Sequence, residues 1–450
     1  MKTVVNNSCK QYEPFDTLKQ APLARETLNL KMNITDYKSR LLQQRNYIDK
    51  VYWVLFSILI IVAILALFSA SSTLAFEKNS STLGPIMEQM LFIAAGVVLA
   101  FGLQFVPSKF IRIASYLGLA ISIVFLLLTF TGMGVEINGA KRWLRIFGIT
   151  FQPSELAKLT LILVVSDLLS RIKNEQDEKK YFFIVLALTV VVCGLILVGN
   201  LSTAILLGGI VFLLFFLARV HIKYWGTTLL IAVFLLIAGY FFVEKVYIEP
   251  NRRVEGVMKR ATTWVGRIDD MIAEWKTPDQ EFKLTDDNYQ RSIAKVAIAR
   301  GGASPLGVLP GNSQERDFLP QAFADYIFAI IVEESGIIGA LFLMLLYLAI
   351  LFRSCLSSSK YADYSAMLMV MGLALMLTCQ ALVSMMVSVG IGPVTGQPLP
   401  MISRGGTSAL ITSIYFGIIM CVAREQNELH ARQQSAMAAS EEEVPEIHIE

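Results

Sequence analysis

Paired cysteine and histidine are what this sequence has least of. Cysteine occurs five times, at Cys9, Cys193, Cys355, Cys379 and Cys421, with no CxxC or other paired spacing. Neither a disulfide framework nor a zinc site follows from that scatter. A short cleavable leader is not expected either. Residues 1–50 are largely polar and precede the first apolar run, which is therefore expected to remain as a signal anchor. Charged residues make up only 17% of the chain and lie mainly in loops and tails, so the formal net charge of +3 says little about partners. The three histidines, His221, His430 and His448, fall in segments expected on the cytoplasmic side. Chemistry on the outer face must then run on carboxylates, lysines and arginines, which argues against a serine–histidine hydrolase there. No internal repeat is visible.

What the chain has in quantity is apolar sequence. It is 55% hydrophobic with a mean hydropathy of +0.57, too apolar for a soluble chain of 450 residues. Runs of about 18 or more apolar residues can cross a hydrocarbon core. The expected fold is an all-α polytopic membrane protein with ten transmembrane helices. These are Val51–Ser69, Ile86–Val106, Ile113–Thr131, Pro153–Leu169, Tyr181–Val198, Leu201–Ala218, Tyr224–Val243, Ala329–Phe352, Tyr364–Val389 and Gly406–Val422. The fourth is the weakest, since it contains Glu155, Lys158 and Asp167. Gly199 and Asn200 form a very tight turn between the fifth and sixth.

Basic residues in short loops face the cytoplasm. Lys38, Arg40, Arg45 and Lys50, then Lys109 and Arg112, Arg171 to Lys180, and Arg219 and Lys223 all fall on one side when ten spans are counted. Arg353, Lys360 and Arg424 join them, and both termini are expected in the cytoplasm. Residues 1–50 read as a cytoplasmic extension, 51–423 as the transmembrane domain, and 424–450 as a polar, disordered cytoplasmic tail. Residues 244–324, between spans seven and eight, form a large extracytoplasmic loop. Its stretch "VEGVMKRATTWVGRIDDMIAEW" could form an amphipathic helix at the membrane surface.

Two basic segments break the charge rule. "NGAKRWLRIFGITFQ" places Lys141, Arg142 and Arg145 on the outer face, and "PLPMISRGGTS" places Arg404 there. Such residues are either a solvated basic loop or a cluster for an anionic ligand, which guanidinium groups bind in bidentate fashion. Glu155 and Lys158 are three residues apart on a helix and face one another. Buried charge in a span is paired or functional, so they read as a neutralising pair or as cavity lining. The glycines and prolines of "GIGPVTGQPLPMISRGGTS" mark irregular backbone, a simple turn or the lining of a cavity. The methionines of span nine read as packing.

Carboxylates gather at the start of span eight. Asp317 reads as a solvated loop residue. Asp325 precedes Glu333 by eight residues, so on a continuous helix it lies about 12 Å farther out. It could cap that helix by accepting orphan N–H bonds, or act as a general base at the mouth of an outward-facing cavity.

Several separated motifs, in order over residues 51–422, resemble the SEDS family of cell-wall proteins, the FtsW/RodA/SpoVE group. They are "FSASSTLAF", "NGAKRWLRIFGITFQPSELAKL", "GNLSTAILL", "NYQRSIAKVAIARGGASPLGVLPGNSQERDFLPQAFADYIFAIIVEESG" and "GIGPVTGQPLPMISRGGTS". The resemblance implies a peptidoglycan glycosyltransferase that polymerises glycan strands from lipid II, the undecaprenyl-pyrophosphate-linked disaccharide peptide. It implies a class B penicillin-binding protein as partner, other divisome proteins, and the bacterial inner membrane as location. A lipid II flippase is the alternative, and no nucleic-acid partner is implied. The family's essential aspartate falls on Asp325 and its glutamate–lysine pair on Glu155 and Lys158. Lys141, Arg142, Arg145 and Arg404 would supply charge for the pyrophosphate. A divalent cation, Mg2+ or Mn2+, bridging carboxylate and pyrophosphate is implied, with no legible ligand set. "SASST" and the "GNS" ahead of "DFLP" lean toward the division branch, FtsW, and septal synthesis, with the lateral-wall branch, RodA, second. The chain departs from the family pattern at Phe323 and Ala324, where His-Thr is frequent, and at Ala299-Arg300, Asn200 and Arg404.

Overall fold

The computed structural model describes residues 47–78, 83–131, 133–137, 140–146, 148–247, 257–276, 288–319, 325–393 and 395–442. A helix stands at each of the ten places read as spans: α1 (Lys50–Lys78), α2 (Leu83–Leu103), α3 (Ser108–Leu128), α4 (Pro153–Leu169), α5 (Glu175–Gly199), α6 (Leu201–Leu217), α7 (Ile222–Tyr247), then α10 (Ile327–Ser358), α11 (Tyr364–Val389) and α12 (Gly406–Glu442). Between α7 and α10 lie α8 (Val257–Lys276) and α9 (Tyr289–Gly302). Eight of these helices are long and apolar enough to cross a membrane. The 17-residue α4 and α6 are shorter than that threshold. The chain is an all-α polytopic membrane protein.

Local chemistry sets the helix ends. Asn174 caps α5 by accepting from the Asp177 N–H at 2.8 Å, ahead of an acidic first turn that suits the helix dipole. Asn200 closes α5 and opens α6, its Oδ1 accepting from the Thr203 N–H at 3.1 Å. One side chain thus makes the tight turn possible. Asp363 caps α11, which ends on Gly390 at φ 83°, a left-handed conformation that glycine adopts without strain.

Burial sorts the helices into centre and rim. Of the spanning windows of α11 and α12, 72% and 78% is buried, against 6% for α7, whose apolar surface is left to face lipid. In α4 every residue but Leu156 is buried, which accounts for its charges: they face other helices rather than the bilayer. The core runs through Leu161, Val164, Leu207, Leu214, Leu373, Phe416 and Ile419.

Three findings depart from the sequence expectations. The basic loop after α3 contains an antiparallel sheet, β1 (Gly134–Ile137), β2 (Ala140–Ile146) and β3 (Ile149–Phe151), ordered β1-β2-β3. Leu144 pairs with Gly134 on one side and Phe151 on the other, and Gly148, at φ 82°, lies in the turn to β3. The segment expected as a disordered tail is helical through Glu442. Its Ala-, Glu- and Gln-rich sequence favours helix, and Glu428 accepts ion pairs from Arg424 and Arg432, each four residues away.

The third departure concerns α10, which is not continuous. Gly336 adopts φ 67°, ψ −164°, breaking the helix. The loop after α9 fills the gap: the Val308 N–H donates to the Glu333 carbonyl at 2.9 Å, and the Ile338 N–H donates to the Pro305 carbonyl at 3.3 Å. A Cβ on Gly336 would stand 2.3 Å from the Pro305 oxygen, so glycine is required on steric as well as conformational grounds. The backbone groups freed by the break are thereby satisfied inside the protein.

Candidate active site

Asp325 stands in a turn just before α10. Tyr326 occupies the cap position and no side chain caps the helix, so the capping role considered for Asp325 is not the one it takes. Tyr326 is buried against Ala294, Ala297 and Leu319, anchoring the turn from α9 and from the segment preceding it. Asp325 lies outside α10, and the break at Gly336 separates the first turns of that helix, with Glu333 and Glu334, from the longer remainder of the span.

Two arginines face this carboxyl. Burial raises the pKa of Asp325 above its ordinary carboxylate value, while the positive charges of Arg142 and Arg267 draw it back down. Arg142 comes from β2 and Arg267 from α8. Gly396, at φ 61° in the α11–α12 loop, passes against both groups. A Cβ there would lie 3.2 Å from Arg142 Nη1 and 3.8 Å from Asp325 Oδ2. Four separate chain segments therefore meet at one polar point.

Strand geometry treats the basic residues differently. Arg142 is the extra residue of a β-bulge, standing between Lys141 and Trp143, whose partners Glu136 and Val135 are adjacent, while Arg145 pairs with Thr150 and is exposed. Lys141 lies on β2, but its side chain is outside the described residues. Below Arg142 a water-sized cavity of about 20 Å³ is lined in part by Thr129, Ser154 and Asn200. The buried Asn200 Nδ2 makes no hydrogen bond there. Arg404 is engaged by Glu88 of α2 at 3.7 Å.

Glu155 and Lys158 form a buried pair that braces the closing loop. Lys158 Nζ donates to Glu155 Oε1 at 2.8 Å and to Gln380 Oε1 at 2.7 Å. Gln380 Nε2 in turn donates to the Pro398 carbonyl at 3.0 Å. Gln397 donates to Thr203 and Tyr347 donates to the Pro400 carbonyl, each at 2.5 Å. The irregular loop holding Gly396 is thus pinned to α4, α6, α10 and α11.

The acids of α10 are anchors. Glu333 is fully buried and accepts from the Ser313 hydroxyl at 2.5 Å and the Gln314 N–H at 3.0 Å. Glu334 accepts from the Ser69 hydroxyl and from the Gly311 N–H. Both hold the segment leading toward Asp325. Asp317 is exposed, as its sequence context suggested. Phe323 and Ala324 lie outside the described residues.

Arg267 was not singled out by the sequence. Its helix was: α8 coincides with the amphipathic stretch, and Tyr240 of α7 donates to its Asp269 at 2.5 Å. The signal for Arg267 would have been a cation on the polar face of a surface helix, but nothing local said what it faced.

No group of three or more histidine, cysteine or carboxylate side chains among the described residues could hold a metal. Asp325 offers one carboxylate, which suits an Mg2+ held mainly by substrate phosphate and water.

Fold and site together describe a multi-pass membrane protein with a carboxylate–arginine constellation assembled by the loops at one end of its helices. The chain belongs to the FtsW/RodA/SpoVE family of cell cycle proteins, whose model matches residues 49–428. FtsW of Mesostigma viride is 32% identical over 81% of this chain and 81% of its own length. FtsW of Saccharophagus degradans, named a probable peptidoglycan glycosyltransferase, is 31% identical over 84% of this chain and 92% of its own. Two solved structures share the fold. A chain of a peptidoglycan synthase complex has a TM-score of 0.64 at 23% identity, covering 84% of this chain and 98% of that one. The rod shape determining protein RodA of Thermus thermophilus has a TM-score of 0.56 at 22% identity, covering 84% and 97%.

Proposed function

We propose that the chain is a peptidoglycan glycosyltransferase that extends glycan strands from lipid II at the outer face of the bacterial inner membrane. The observation that carries this reading is the Asp325 carboxyl, raised by burial and flanked by the Arg142 and Arg267 guanidinium groups. A carboxylate raised in this way is a better proton acceptor, and adjacent cations suit a departing pyrophosphate. The acceptor sugar hydroxyl attacks the donor anomeric carbon and gives its proton to Asp325. The bond from that carbon to the pyrophosphate oxygen breaks with inversion, and the lipid-linked pyrophosphate leaves beside the arginines. A divalent cation bound by Asp325 and the pyrophosphate would supply further charge neutralisation. Glu155 and Lys158 act by positioning the loop that holds Gly396.

The family membership and the relatives' names support the glycosyltransferase assignment. The FtsW relatives favour a septal role, with a class B penicillin-binding protein and other division proteins as partners.

The test is polymerisation of labelled lipid II by the purified chain with its penicillin-binding partner, products sized on a gel. Asp325→Asn is expected to lower the rate about a hundred- to ten-thousand-fold. It should not lower the melting temperature. A carboxyl whose folded pKa lies above its unfolded one weakens the fold as pH rises through the folded value, and asparagine removes that charge. Equal polymer from both proteins would overturn the base assignment. Absence of polymer alongside lipid II scrambling in vesicles would replace the enzyme by a transporter.

A further inference from the structure

The end of the bundle opposite Asp325 carries a second polar pocket. The last turns of α10, the α10–α11 turn and the extension of α12 enclose about 350 Å³, lined among others by Arg353, Lys360, Tyr361, Gln426 and His430. Its charges are unevenly matched. Arg353 is held in place by an ion pair with Asp49 and lies 5.9 Å from the centre of the Tyr52 ring. Lys360 and His430 are exposed, and neither has an ion-pair or hydrogen-bond partner for its side chain among the described residues. The nearby acids are committed elsewhere: Glu428 to Arg424 and Arg432, Glu425 to the Ser108 N–H at 2.9 Å, and Asp363 to Arg112 at 3.1 Å.

The walls also offer neutral donors. The Tyr361 hydroxyl is buried and makes no hydrogen bond of ordinary geometry. Burial raises its pKa above the usual phenol value, so it stays a donor at any physiological pH. Gln426 is buried beside it. A cavity with a lysine, an arginine, an imidazole and a buried phenol, and with no carboxylate in its lining, is complementary to an anion with several acceptor oxygens.

We propose that this pocket binds a phosphate-bearing anion, with Lys360 and Arg353 as its charges and His430, Tyr361 and Gln426 as hydrogen-bond donors. Its position at the ends of apolar helices, with Leu356 on its wall, makes an anionic phospholipid head group one source of that phosphate. A soluble phosphate compound offers the same chemistry. The site is independent of the glycosyltransferase reading, because none of its residues contributes to the Asp325 constellation.

The test uses the full chain purified in detergent. Native mass spectrometry counts retained lipid, and thermal unfolding is followed with added cardiolipin, phosphatidylglycerol, phosphatidylethanolamine or inorganic phosphate. Wild type is expected to retain and be stabilised by the anionic lipids and not by phosphatidylethanolamine. Lys360→Ala should weaken this roughly fivefold, Lys360→Ala with His430→Ala should abolish it, and Lys360→Arg should restore it. Lys360-dependent stabilisation by inorganic phosphate without any lipid effect assigns the site to a soluble phosphate. Both substituted side chains are exposed, so a folding defect is not expected. Identical lipid retention and identical melting shifts in wild type and the double variant would overturn the proposal.

Discussion

At the scale of single residues, Asp325 is governed by opposed effects, burial raising its pKa and two arginines lowering it. A general base works only when ionised, so activity should fall as pH drops through that pKa. Arg267→Gln removes one of the charges that favour ionisation. The acid limb of the kcat/KM–pH profile is therefore expected to move to higher pH, measured by lipid II consumption across a pH series. An unchanged acid limb would mean that Arg267 does not act on the carboxyl. Asp325 and Arg142 were both legible in the sequence, one from its place ahead of an apolar run and one from its place on the wrong side of the charge rule. Their meeting with Arg267 was not, because the three lie in separate elements.

At the scale of elements, the break in α10 lets the loop after α9 enter the helix and places the turn that carries Asp325. Gly307, at φ 64°, and Gly336 approach each other backbone to backbone, and a side chain on either would collide with the other's neighbours. Gly336→Ala combines a left-handed backbone with that collision, and about 2–4 kcal/mol of destabilisation is expected. Lower melting temperature and reduced polymerisation should appear together, while a variant as stable as wild type would show that the loop is not seated as described. The glycine itself was visible in the sequence. Its conformation was not, since "ESGIIGALF" reads equally well as an unbroken span. Glu333 illustrates the same limit: the sequence places it eight residues after Asp325, and only the structure shows it as a fully buried acceptor for the Ser313–Gln314 segment.

At the scale of the whole molecule, the Asp325 constellation and the Lys360 pocket occupy opposite ends of one helical bundle. The distribution of basic residues predicts that the first faces outward and the second the cytoplasm. Cysteines introduced at exposed Arg145 and at exposed His430, with the native cysteines replaced, should distinguish the two. In intact cells a membrane-impermeant thiol reagent is expected to label the first and to reach the second only after permeabilisation, and the reverse pattern would invert the topology. The ten apolar stretches and their helical character were determined by the sequence itself, because hydropathy and capping residues act over short stretches of chain. The sheet around Arg142, the break at Gly336, the brace from Lys158 through Gln380 to Pro398, and the convergence of Arg142, Arg267 and Gly396 on Asp325 were decided only by the tertiary structure. Those features depend on contacts between residues far apart in sequence, and no local pattern encodes which distant partner a buried charge will find.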